Sequence, residues 1–83
     1  MDVEQLVSMA NQIGHFYESL PDREEGKTSI ADHIRRFWDP RMRRAMLAHM
    51  ADHGGHGLDP IVHEALLANQ AKWAPPPPHG APA

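Results

Sequence analysis

The chain contains no cysteine. That excludes a disulfide framework, thiolate catalysis, a cysteine-held iron–sulfur cluster and the common zinc fingers, and it fits a reducing compartment. An excess of basic charge is also missing: eight Lys and Arg face eleven Asp and Glu, a net −3, which is not the balance of a nucleic-acid-binding domain. No hydrophobic run is long enough to cross a bilayer. The longest stretch free of Asp, Glu, Lys and Arg before the C-terminal tail, Gln5 to Tyr17, is interrupted by Gln, Ser, Asn, Gly and His. The first 22 residues carry no Lys or Arg, so the expectation is a cytoplasmic chain without a secretory or mitochondrial presequence. Nor is a reaction centre visible. Ser8, Ser19, Thr28 and Ser29 lack a nucleophile-elbow context, no carboxylate pair stands out, and no glycine-rich phosphate loop occurs. The chain is therefore not expected to be an enzyme on its own.

What is present is an ordinary globular composition, 41% hydrophobic and 23% charged, in 83 residues, room for one small domain. A chain this short, with no covalent staple, often completes its apolar burial on another subunit. The patterning predicts an all-α fold of four short helices over residues 1–73, followed by a proline-rich tail over 74–83. In the first, Val3, Leu6, Val7, Ala10, Ile13, Tyr17 and Leu20 follow helical spacing, widened by Met9 and Phe16, from about Asp2 to Ser19 before Pro21. The second carries Ile30, Ile34, Phe37 and Trp38. It starts either near Asp22, with Glu24 and Glu25 in its first turn, or near Ser29, which with Asp32 resembles a capping box.

Asp39-Pro40 and Asp59-Pro60 each pair a capping aspartate with a proline suited to the first helical position, and they open the third and fourth helices. The third has Met42, Ala45, Met46 and Met50 on one face and ends at Gly54-Gly55. The fourth carries Ile61, Val62, Ala65, Leu66, Asn69 and Trp73. Gly14, inside the first helix, suits a close approach by Trp38 or a partner, or is a plain surface glycine. The tail, APPPPHGAPA, lacks material for burial; it reads as a mobile polyproline II segment.

Charge is unevenly distributed. Residues 1–34 carry net −5, residues 35–44 net +4, and the remainder net −2. Within the basic block Arg35, Arg36, Arg41, Arg43 and Arg44 surround Phe37 and Trp38, with Met42 beside them. These eight residues are the candidate partner-docking site, because Arg and aromatic side chains carry much of the energy of protein interfaces and guanidinium forks match carboxylates. The competing reading makes the aromatics core and lets the arginines neutralise the acidic first segment. Seven histidines invite a metal reading. His49, His53 and His56 could bring imidazoles together, but HMADHGGHG reads better as a solvated helix end, and no metal site is assigned. His15 and His33 read as helix-surface groups.

Three segments, MANQIG from Met9 to Gly14, IADHIRRFWDPRMRR from Ile30 to Arg44 and LDPIVHEAL from Leu58 to Leu66, closely resemble the delta subunit of NAD-dependent, molybdenum-containing formate dehydrogenases. The likeness runs from about Met1 to Leu67 and leaves out the tail. It implies a small accessory subunit, without cofactor, of a soluble complex that oxidises formate to carbon dioxide and reduces NAD. In that family the alpha subunit holds the molybdenum pterin and iron–sulfur clusters, and the beta and gamma subunits carry FMN, the NAD site and further clusters. The resemblance supplies no catalytic residues; it implies that Arg35 to Arg44 serve fold and docking. The alternatives are a transient maturation factor for the molybdenum-bearing subunit, or a helical metal- or nucleic-acid-binding module.

Overall fold

Aspartates begin the first three helices of the computed structural model, which describes residues 2–73 without the side chains of 71–73. Asp2 precedes α1 (Val3–Tyr17), Asp22 precedes α2 (Arg23–Phe37) and Asp39 precedes α3 (Pro40–His53); each is extended, and its carboxylate accepts backbone N–H groups of the first turn. The fourth, α4 (Pro60–Trp73), begins where the Asp59 carbonyl accepts from the His63 N–H at 2.9 Å. No strand occurs among the described residues. The expected tail, 74–83, lies outside them.

One helix end differs from expectation, and one open choice between two starts is decided. α1 stops at Tyr17 rather than Ser19, because the chain tightens into a turn in which the Leu20 N–H reaches the Tyr17 carbonyl. α2 takes the earlier of its two possible starts: Asp22 Oδ1 accepts from Glu24 and Glu25 at 2.9 and 3.4 Å, which leaves Ser29 inside the helix. At the end of α3, Gly54 has φ 62°, the left-handed conformation glycine adopts without a Cβ clash.

Leu6 and Ala10 of α1, Ile30 and Ile34 of α2, Trp38, Met46 of α3, and Ile61, Val62, Ala65 and Leu66 of α4 form one buried cluster. The most extensive helix pairing is α2 on α4; α1 packs on all three others, and α3 lies chiefly against α1. Gly14 is buried where α1 meets α4. A Cβ there would overlap Val62 Cγ2 and lie 3.6 Å from Ile61 Cγ2, so the neighbour that needs this glycine is α4, not Trp38 or a partner. Asn11 joins α1 to the α3–α4 loop: its Nδ2 donates to the Gly57 carbonyl at 2.9 Å and its Oδ1 accepts from the Asp59 N–H at 2.8 Å. Across the α2–α4 seam, Arg23 pairs with Glu64, and Lys27 lies between Glu24 and Glu64.

Candidate docking site

The basic block folds into a corner. α2 and α3 are separated only by Trp38 and Asp39, both extended, with φ/ψ of −86°/137° and −73°/164°. The Trp38 N–H still bonds the Ile34 carbonyl at 3.0 Å, closing α2, while Asp39 Oδ1 accepts from Arg41 and Met42 at 2.8 and 3.1 Å, opening α3. The turn is thus bonded on both sides by the residues that make it.

Its two aromatics separate. Trp38 is 5% exposed and belongs to the core, so of the eight expected docking residues it is the one withdrawn from the surface. Phe37 is 71% exposed, and its ring rests on His33, with centroids 4.6 Å apart. Arg35, Arg36, Arg41 and Arg44 are exposed, and Met42 and Arg43 are half-buried. The Asp32 carboxylate pairs with Arg35 at 3.0 Å and Arg36 at 3.1 Å. The Arg35 hydrogen bond, helped by the charge of Arg36, holds the Asp32 carboxyl below its usual range. That pairing partly supports the neutralising role expected of the arginines, but within one helix.

Beside the corner a groove of about 290 Å³ runs between helices, lined by Met9 and Ile13 of α1, His33 and Phe37 of α2, and Trp38 and Met42, with Gln12 at its side. Sequence reasoning assigned its α1 residues to the buried stripe. The available signal was width: Leu6, Ala10 and Gly14 already complete a buried face, leaving Met9, Ile13 and Phe16 to its edge. Phe16, expected to widen that buried stripe, is instead 73% exposed, edge-on to Tyr17 at 5.0 Å.

The histidines also depart from expectation. His49 is only 7% exposed rather than part of a solvated helix end; its Nε2 donates to the His56 carbonyl at 2.8 Å, and the His53 ring lies 5.7 Å away. The three imidazoles share a groove with Val3, Glu4 and Val7, but no group of three His, Cys, Asp or Glu side chains among the described residues is placed to hold a metal ion. No described helix is long and apolar enough to cross a membrane.

A family model described as the NADH-dependent formate dehydrogenase delta subunit, FdsD, matches residues 5–66, most of the chain and all of the corner. The chain belongs to the FdsD family. No curated protein and no solved structure matches it. As an FdsD chain it falls in a family of formate dehydrogenase subunits, and the match takes in the Asn11 contact, both faces of the Gly14 approach and the whole stretch from Arg35 to Arg44.

Proposed function

We propose that this chain is a non-catalytic accessory subunit of a cytoplasmic NAD-dependent formate dehydrogenase, docking on the large molybdenum-bearing alpha subunit and stabilising its assembly with the beta and gamma subunits. Formate oxidation and NAD reduction then take place in those partners, which hold the molybdenum pterin, the iron–sulfur clusters and FMN. Without cysteine this chain has no thiolate for a cluster.

The observation that carries the reading is the corner itself. Phe37 is turned into solvent within a ten-residue segment that carries four exposed arginines, while its neighbour Trp38 is buried. Beyond its contact with His33 this exposed ring gains little for the free chain, but an aromatic next to guanidinium groups is what a desolvated interface uses as an anchor. Arg35, Arg36, Phe37, Arg41, Met42, Arg43 and Arg44 are the proposed contacts, and Trp38 holds them from beneath.

The test is purification of the tagged full chain from cells producing the remaining subunits, with size-exclusion chromatography, subunit quantification and formate-dependent NAD reduction on the same fractions. Co-elution at unit stoichiometry with active enzyme is expected. Elution alone would refute the accessory role, and co-elution only with inactive apo-subunit would make the chain a maturation factor. A strain lacking the chain should lose assembled enzyme or cofactor content; unchanged assembly, cofactor and activity would refute the stabilising role.

A further inference from the structure

We propose that the groove between α1 and α2 seats an acidic, amphipathic helix of a partner polypeptide, its apolar side between Phe37 and Phe16 and its carboxylates against the arginines of the corner. The inference rests on the docking reading above and names the occupant.

Three observations combine. First, Phe16 and Phe37 are both more than 70% exposed, and half-buried Met9 and Ile13, on the same side of α1 as Phe16, line the groove with Phe37. Met9, Gln12, Ile13 and Phe16 stand at i, i+3, i+4 and i+7 on one side of α1, and His33 and Phe37 at i and i+4 on α2. Secondly, the stripe from Met9 to Phe16 covers eight residues, seven steps and so about 10 Å at about 1.5 Å per residue. That is two helical turns, the span over which a docked helix presents anchors at i, i+3 or i+4, and i+7.

Thirdly, charge selects the sign of the partner. No acidic residue lines the groove, and the segment bordering it, residues 35–44, carries net +4 in a chain of net −3. Arg36 is three residues from His33 and next to Phe37, so it stands at the groove's edge. Arg35 and Arg36 share the single carboxylate of Asp32, whereas Arg41 and Arg44 engage no carboxylate among the described residues. A basic or neutral segment would find no complement in this net-positive border; an acidic one pairs with its guanidinium groups while its apolar side covers the rings.

The experiment measures binding of the full-length chain to formate dehydrogenase prepared without it, using wild type, Phe16→Ser/Phe37→Ser and Arg41→Glu/Arg44→Glu. The aromatic pair should weaken binding by about 30-fold or more, the loss expected of interface anchors. The arginine pair should slow association by about tenfold and flatten its dependence on salt. Radical footprinting of wild type covers the case in which a variant unfolds: Phe16 and Phe37 should both lose reactivity in the complex. A photo-crosslinker at Gln12 should capture a helical segment rich in Asp and Glu.

If wild type binds while the aromatic pair binds equally well, or footprinting leaves both rings reactive, the groove is not the seat and the accessory role stands. Capture of a basic or uncharged segment, or a salt-independent complex, overturns the charge assignment. A dimer of this chain closed over the two rings overturns the partner assignment. If wild type does not bind at all, the docking reading fails with it.

Discussion

Phe37 and Trp38 are adjacent aromatics with opposite surroundings, and helical pitch explains why. Trp38 is four residues beyond Ile34 and stays on the core side as the backbone leaves α2, while Phe37 is four beyond His33 on the outer side. Replacing Trp38 by Ala should cost about 3–5 kcal/mol in denaturant unfolding, whereas Phe37→Ala should change stability by no more than about 0.5 kcal/mol. Equal losses would mean that Phe37 also supports the fold of the free chain. Gly14 makes a second case at this scale. Alanine is the better helix former by up to about 1 kcal/mol, but here its methyl would enter the space of Val62, which is β-branched, fully buried and has few rotamers to escape into. Gly14→Ala should therefore lower stability by about 1–3 kcal/mol, with recovery on adding Val62→Ala. Stabilisation by the single change would show that α1 and α4 can move apart at no cost.

At the scale of the helices, three starts were legible because each is written in one or two residues, an aspartate with proline after Asp39 and Asp59, whereas the start of α2 stayed open because Asp22 and Ser29 both offered a cap. What periodicity left open was which side of a wide stripe goes in. Phe16 and Ala10 both fit the apolar face of α1, yet Ala10 is fully buried and Phe16 largely exposed, and nothing within α1 records that. His49 illustrates the same limit: the sequence marked Gly54-Gly55 as a helix end, but not that the loop beyond would bring the His56 carbonyl back to the His49 ring. The Arg and aromatic block was visible as composition, but the groove beside it required two helices to be brought together. Ion pairing adds a pH dependence at this scale. Asp32 is held below its usual range first by the hydrogen bond from Arg35, and Glu64 first by that from Arg23. A carboxyl depressed by folding adds stability that is present above its unfolded-state value, about 4, and lost as pH falls through the lower folded value. Asp32→Asn/Glu64→Gln should accordingly lose less stability than wild type on acidification below about pH 4, and added salt should shrink the difference. Parallel acid-unfolding curves for the two proteins would show that these pairs contribute nothing to the fold.

Across the whole molecule the anchoring is uneven. α1, α2 and α4 pack on one another, while α3 has its substantial contacts with α1 and contributes one fully buried large side chain, Met46. Its ends are secured by other means: Asp39 and Trp38 at the corner, and at the far end the loop that Asn11 grips through Gly57 and Asp59. Opening α3 therefore exposes less apolar surface than separating α2 from α4, and local opening free energies follow such differences. Native-state hydrogen exchange should show amides around Met46 to Met50 opening below the global unfolding free energy, and those from Ile30 to Ile34 opening only with it. Asn11→Ala should lower protection in α3 and its loop further while leaving the middle of α2 unchanged, because the two lost bonds tie the loop alone. Because Arg41, Arg43 and Arg44 stand on this helix, binding a partner at the corner should raise α3 protection more than that of any other helix. If α3 exchanges in the same opening as α2, the domain is one cooperative unit, and the corner is rigid before any partner arrives.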